Sequence, residues 1–254
     1  EGAHVGRPVG DDAAAARTHG SAPHDGPRAD GTRGAPAHKW VDGVFVVGGS
    51  DGMTGAPMLA SHAAMRAGAG IVWCGVPGAD AAARASGTEV ITKALPAEQG
   101  SLGAEAAAAV LEVASRFRAV AIGPGLGRSE ATARAVREVA ARTPAPIVVD
   151  ADGLPALSGH LDVLRRRSAP TVLTPHAGEY ASLRGQPEGD DRLAAARALA
   201  ADTGAVVLLK GPGTVVADPS GRAAICPIGG PWLASAGTGD VLTGIVAAFL
   251  ARGA

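Results

Sequence analysis

The sequence predicts an α/β fold, a mostly parallel central sheet with helices on both faces. Short, wholly apolar runs such as Val44-Phe45-Val46-Val47 and Ala119-Val120-Ala121-Ile122 recur along the chain, and longer Ala-rich amphipathic stretches separate them. A strand that is apolar at every position is buried on both sides, so it needs one layer above it and another below. Composition agrees, because 254 residues at 46% hydrophobic and 19% charged can fill one substantial core.

Taken in order, residues 1–37 carry Gly, Ala, Pro, Asp, Arg and His with almost no large apolar side chains. Burial there cannot offset the entropy of ordering, so the segment reads as a disordered linker or tail. The texture changes at His38, and 38–254 reads as one domain. Val44–Val47 is a strand ending in Gly48-Gly49, and Pro57–Ala67 a helix whose proline suits a first turn. Ile71–Cys74 is a strand, Ala104–Phe117 a helix, Ala119–Ile122 a strand, Ala131–Ala141 a helix and Pro146–Val149 a strand. Thr171–Leu173 and Ala205–Leu209 follow as strands, with the helix Asp191–Ala201 between them. Val215–Ala217 turns through Asp218-Pro219-Ser220-Gly221 into Ala223–Ile225 as a hairpin, and a loop then enters a final helix.

Charge narrows the function. With 23 basic against 24 acidic residues there is no field to attract a polyanion, which argues against nucleic acid and anionic membrane and for a small-molecule substrate. No uncharged apolar run is long enough to span a bilayer, and the N-terminal residues lack the apolar core of a signal peptide. Cys74 and Cys226 lie in apolar surroundings and are expected as buried thiols in a reducing cytoplasm. The first methionine is Met53, so the sequence reads as an excerpt of a longer chain.

Ligands of such a sheet bind beyond the carboxyl ends of its strands, which directs attention to the loops 48–55, 123–127, 150–153, 174–179 and 210–214. The segment Ser235-Ala236-Gly237-Thr238-Gly239-Asp240 is the most informative. Its small residues admit close backbone approach, and the helix after it turns unpaired N–H groups toward the same point, so a phosphate is the natural occupant. Asp240 is then either the group that orients or deprotonates a hydroxyl nucleophile or a helix cap. Asp150 and Asp152 either hold Mg²⁺ through water or pack structurally. No lysine follows a glycine, which excludes a P-loop, and Arg128 stands where a dinucleotide fingerprint needs its third glycine.

Val46-Val47-Gly48-Gly49-Ser50 with Gly52-Met53-Thr54-Gly55-Ala56, and Arg66-Ala67-Gly68-Ala69-Gly70 after it, resemble the opening of ADP- or ATP-dependent NAD(P)H-hydrate dehydratases. Gly123-Pro124-Gly125-Leu126-Gly127, Asp150-Ala151-Asp152-Gly153-Leu154, Thr174-Pro175-His176 with Gly178-Glu179, Lys210-Gly211 with Thr214, and Ala236–Asp240 are similar to later blocks of that family, in its order. The resemblance implies a ribokinase-like fold and the repair of hydrated NADH and NADPH. A nucleotide phosphorylates the ring hydroxyl, and loss of phosphate regenerates the reduced cofactor. The Arg-heavy, Asn-free composition resembles that of a GC-rich bacterium, which favours ADP over ATP, with AMP as product.

Carried over by motif, Asp240 is the catalytic group and also meets the substrate, and Ala236, Gly237, Thr238 and Gly239 form the phosphoryl loop. Lys210, Gly211, Pro212, Gly213, Thr214 and Gly239 hold the adenine nucleotide, and Ala56, Gly125, Gly127 and His176 line the hydrate pocket. His176 is otherwise a structural loop histidine, Glu179 the start of a helix, and Lys210 a surface charge. Magnesium arrives with the nucleotide, without direct protein ligands. The resemblance further implies a homo-oligomer and an epimerase domain upstream. Two departures stand out. Pro155 replaces the family's Asn after the Asp150–Leu154 block, and the chain stops at Ala254, short of the family's further covering helices. A small-molecule kinase of the same superfamily and a non-catalytic nucleotide-binding remnant are the alternative functions.

Overall fold

The computed structural model describes residues 38–85 and 89–253. The expected linker 1–37 lies outside them. The first strands and helices are β1 (Gly43–Val47), α1 (Gly55–Arg66), β2 (Ile71–Pro77), α2 (Ala79–Ala85) and β3 (Ile91–Leu95). A two-stranded hairpin of β4 (Ala97–Glu98) and β5 (Ser101–Leu102) follows. Then come α3 (Ala106–Ala114), β6 (Ala119–Ile122), α4 (Glu130–Arg142), β7 (Ile147–Val149), α5 (Asp162–Arg165) and β8 (Thr171–Leu173). The last third holds α6 (Ala177–Arg184), α7 (Arg192–Thr203), β9 (Val206–Leu209), β10 (Thr214–Ala217), β11 (Ala223–Cys226) and α8 (Thr238–Ala251).

Nine strands form one sheet in the order β11-β10-β9-β8-β7-β6-β1-β2-β3. Pairing from β3 across to β9 is parallel, and only β10 runs against its neighbours. The expected mostly parallel sheet is therefore present. Alternation in β1 sorts the layers. Val44 and Val46 face a cluster with Ala60 and Ala64 of α1 and Ala247 and Ala248 of α8, whereas Phe45 and Val47 face Val110 of α3, Val136 and Val139 of α4 and Leu199 of α7. Helices thus cover both faces, as wholly apolar strands require.

The sequence placed α1, α3 and α4 within a few residues but missed α2 and β3. The largely exposed run Ile91-Thr92-Lys93-Ala94, with only Leu95 buried, marks a sheet edge, and its Lys and Thr masked the strand. The expectation for Cys226 is corrected: it is exposed, because β11 is the opposite sheet edge and all four of its residues are exposed. Cys74 is buried, and burial pushes its thiol up to about 11 despite a hydrogen bond with Ser61. Ile228 and Trp232, in the loop after β11, are 86% and 77% exposed.

Close approach of α1 to α8 seats the helix that carries Asp240. A Cβ on Gly244 would lie 1.9 Å from the Ala60 carbonyl oxygen, so only glycine admits this crossing. Gly244→Ala is expected to force the helices apart and lower unfolding free energy by about 1–3 kcal/mol, the usual cost of overpacking. Chemical denaturation checks it. An unchanged midpoint would show that the crossing has slack.

Candidate active site

The strands β1, β6, β7, β8 and β9 end on one side of the sheet, and their loops bring the sequence-selected residues toward one another. Asp150 follows β7 and is 1% exposed. Its Oδ1 accepts from Lys210 Nζ at 2.8 Å, and its Oδ2 accepts from Thr243 Oγ1 of α8 at 2.5 Å. Lys210, at the end of β9, also stands 3.4 Å from Glu179 Oε2. Burial works against the Lys210 charge, but Asp150 and Glu179 outweigh it and hold the ammonium above the ordinary lysine range.

Behind Asp150 the backbone is crowded. A Cβ on Gly123 would fall 1.7 Å from the Asp150 carbonyl oxygen, so the β6 and β7 loops close on each other only because Gly123 is there, at φ +135°. Ala151 adopts φ +47°, a left-handed conformation that a non-glycine residue enters at a cost. That turn is what carries the chain from a buried Asp150 to Asp152. Gly127 N–H donates to Asp152 Oδ2 at 3.0 Å, and Arg128 Nε pairs with its Oδ1 at 3.2 Å. Both carboxylates of the pair therefore bind protein groups, which favours the structural reading over a metal-holding one.

His176 caps α6. Its Nδ1 accepts from the N–H groups of Gly178 and Glu179 at 3.0 and 3.2 Å, and Glu179 Oε2 accepts the His176 N–H at 2.8 Å, a reciprocal capping box. Both alternatives weighed for these residues as structural groups are present; the His176 side chain is 57% exposed, with its Nε2 3.4 Å from Glu179 Oε1. Glu179 begins a helix and is also the second counter-ion of Lys210, a role that only the fold reveals. Lys210 is correspondingly no solvated surface charge.

Asp240 lies in the first turn of α8, but the cap position belongs to Gly237 at φ +90°, and no side chain caps this helix. Thr238 N–H donates to the Ser235 carbonyl at 3.4 Å, and the first-turn N–H groups of Gly239 and Asp240 are left to whatever approaches the loop. A Cβ on Gly239 would stand 3.5 Å from Lys210 Nζ and 3.9 Å from Asp150 Oδ2, so the loop lies directly over the ion pair. Burial first, and then the Asp150 carboxylate, push the Asp240 carboxyl up to about 6, with Glu179 adding to the push and Lys210 opposing it. A half-buried acid poised near neutrality and free of a capping duty suits proton transfer.

On the β1 side, Ser50 Oγ donates to the Gly125 carbonyl at 2.8 Å, and Gly49 N–H to that of Pro124 at 2.8 Å. A Cβ on Gly125 would lie 3.3 Å from that of Ala56, and one on Gly127 3.8 Å from Ser50 Oγ. Ala56, Gly125 and Gly127 therefore share one wall. Its bareness comes from small residues at left-handed φ values of +66° and +74° at the two glycines.

One further residue escaped the sequence. The Arg192 guanidinium donates to the carbonyls of Leu209, Lys210, Pro212 and Gly213 and pairs with Glu188 through Nε at 3.0 Å. It thereby fixes the whole 210–214 loop. Arg192→Gln is expected to cost about 2 kcal/mol of stability, in keeping with charge-assisted hydrogen bonds, and to speed amide exchange at Gly211 and Gly213. Exchange rates equal to those of the parent protein would assign the loop's order to something else.

A family model described as NAD(P)H-hydrate dehydratase matches residues 44–254. The chain belongs to that family. It is 45% identical over 227 residues to the bifunctional NAD(P)H-hydrate repair enzyme of Moorella thermoacetica, covering 87% of this chain and 43% of that one. The chain thus spans less than half the length of this curated relative. Among solved structures it matches the ADP/ATP-dependent NAD(P)H-hydrate dehydratase of Bacillus subtilis, co-crystallized with ATP/Mg²⁺, at TM-score 0.70 and 32% identity over 87% of this chain and 76% of that one. A ribokinase-like superfamily protein of Enterococcus faecalis matches at TM-score 0.69 and 24% identity, over 87% and 75% of the two chains. The fold is therefore ribokinase-like, as the motif blocks implied.

Proposed function

We propose that this domain dehydrates the hydrated forms of NADH and NADPH at the expense of a nucleotide, with ADP as phosphoryl donor. The observation that carries the proposal is the raised, uncapped Asp240 beside the Gly237–Gly239 loop and the buried Asp150–Lys210–Glu179 cluster. Asp240 takes the proton of the substrate's ring hydroxyl as its oxygen attacks the terminal phosphorus of ADP. The phosphorus–oxygen bond to AMP breaks, and amides of Ala236, Gly237, Thr238 and Gly239 stabilise the charge on the transferring group. The phosphate ester then leaves, driven by the ring nitrogen, and loss of a ring proton restores the double bond. Products are AMP, inorganic phosphate and the reduced cofactor.

Lys210, Gly211, Pro212, Gly213, Thr214 and Gly239 hold the nucleotide in this reading, and Ala56, Gly125, Gly127, His176 and Asp240 hold the hydrate. Asp150, Glu179 and Asp240 set three carboxylates against one ammonium, so phosphates entering here need their own counter-ion. That supports magnesium carried in on the nucleotide, where it neutralises phosphate oxygens. An upstream epimerase half accompanies the domain in the whole protein, in keeping with the length of its bifunctional relatives. A cytoplasmic location follows from the substrates. Among the described residues no helix is long and apolar enough to cross a membrane.

The test is incubation of the protein with ADP, Mg²⁺ and hydrated NADH while nicotinamide absorbance is followed. Growth of that absorbance with equimolar AMP supports the proposal. Phosphorylation of some other hydroxyl substrate, with hydrated NADH untouched, would move the protein to the kinase alternative. Absence of turnover with every acceptor would leave nucleotide binding alone.

A further inference from the structure

We propose that Thr243 is a positioning residue for the phosphoryl transfer. Its hydroxyl, bonded to Asp150, fixes the first turn of α8, and with it Asp240 and the uncapped amides of Gly239 and Asp240, over Lys210. The inference rests on the dehydratase reading and deepens it, because it names what sets the geometry of that site.

A hydroxyl inside a helix ordinarily donates to the carbonyl one turn back. Ser61, Ser182 and Thr203 do so, to the carbonyls of Pro57, Gly178 and Leu199. Thr243 turns away from that local partner. At 0% exposure it donates instead to Asp150 Oδ2 at 2.5 Å, across 93 residues of chain. Asp150 is itself buried, and its other oxygen is taken by Lys210 Nζ, so one carboxylate ties the end of β9 to α8. A charged acceptor makes this bond stronger than the local one it replaces.

Helix spacing carries the bond to the reacting groups. Thr243 follows Asp240 by three residues and Gly239 by four, so the three share one side of α8. Their surroundings agree. A Cβ on Gly239 would stand 3.9 Å from the same Asp150 oxygen, and the Asp150 and Lys210 charges both act on the Asp240 carboxyl. The next residue, Gly244, abuts the Ala60 carbonyl of α1. Such a steric contact limits how closely α8 approaches α1 but has no preferred direction. The Thr243 hydrogen bond has one, and it sets the rotation of the turn. With no side chain capping the helix, Thr243 is what anchors that turn to the end of β7.

The test uses Thr243→Val, which keeps the shape and loses the hydroxyl, and Thr243→Ser, which keeps the hydroxyl. Turnover of hydrated NADH with ADP and Mg²⁺ is measured at a temperature where all proteins are folded. The valine variant is expected to lose about 10²-fold in kcat, the usual consequence of a small displacement of reacting groups. Its KM for the hydrate should stay within about threefold, because the walls that bind it are untouched. Serine should restore most of the rate. Should Thr243→Val fail to fold, Thr243→Ala leaves room for a water to bond Asp150 and carries the same expectation. Parent-like kcat in the variant lacking the hydroxyl, or a serine variant as slow as it, would overturn the inference. Amide exchange at Val241, whose N–H donates to the Gly237 carbonyl at 2.9 Å, reads the same turn without turnover. It should quicken when the hydroxyl is removed and not with serine. If the parent does not turn over hydrated NADH but exchange responds in this way, the anchor stands and the dehydratase reading falls. If the parent turns over and neither rate nor exchange moves, the reading stands and the anchor falls.

Discussion

Asp240→Asn is expected to lower single-turnover formation of NADH by about 10²- to 10⁴-fold, the usual consequence of removing a general base, while leaving the fold and the affinity for ADP intact. Asparagine keeps the shape of the side chain and loses only its proton-accepting charge. The melting temperature adds a second discriminator. In the folded protein the carboxyl is pushed from the ordinary 3.8 up to about 6, so between those values the native state binds more protons than the unfolded chain. Stability therefore falls as pH rises through that window, and the deficit persists above pH 6. The asparagine variant escapes it and should be more stable at neutral pH, by about 1 kcal/mol once solvent screening of a half-buried group is allowed for. A cap residue predicts neither effect. A variant with near-normal turnover would remove Asp240 from the chemistry, and with it the main support for this loop as the active site.

The same shift predicts the pH profile. If the free enzyme works only with Asp240 ionised, kcat/KM should be level above about pH 6 and fall tenfold per pH unit below it. Weakening the Asp150 charge should move the bend toward lower pH, because Asp150 is the neighbour that most strongly raises the Asp240 carboxyl. A profile flat to pH 5 in the parent protein would mean that the ionisation of Asp240 does not govern the rate.

The strands that hold the site were legible because burial on both faces makes them apolar at every position, as in β1 and β6. The loops were legible because small residues at left-handed angles leave a glycine signature, seen at Gly123, Gly125 and Gly127. What stayed hidden joins residues far apart in the chain. Thr243 lies 93 residues from the Asp150 it meets, and Lys210 lies 60 residues from it. Thr243 in the sequence is only a small polar residue in an apolar helix, with nothing to mark its partner. Arg192 looked like any first-turn arginine until the loop it ties was folded over it. Asp150 read as ambiguous for the same reason, since its two partners belong to β9 and α8 and no local pattern announces them.

Lys210 is where the motif and the structure pull apart, and its replacement decides between them. A lysine that merely meets phosphate could be lost with little effect on the unliganded fold. Here the ammonium is 19% exposed and is the counter-ion of Asp150 and Glu179, whose side chains are 2% and 11% exposed. Lys210→Met keeps the packing of the stem but strands both carboxylates, and removing one partner of a buried pair costs about 3–5 kcal/mol. The unliganded variant should therefore melt well below the parent protein. Adding Asp150→Asn removes one of the stranded charges, so the double variant should recover a substantial part of the loss, and the coupling in that cycle isolates the ion pair. Binding of ADP, measured at a temperature where all variants are folded, reports the second role. A stable Lys210→Met protein with weakened ADP binding would make Lys210 a phosphate contact whose pairing with Asp150 contributes nothing. A destabilised one whose ADP affinity matches the parent's would make it a purely structural cation. The position of Gly239 directly over the ammonium predicts that both quantities fall, because the charge that holds Asp150 in place is the one an incoming phosphate meets.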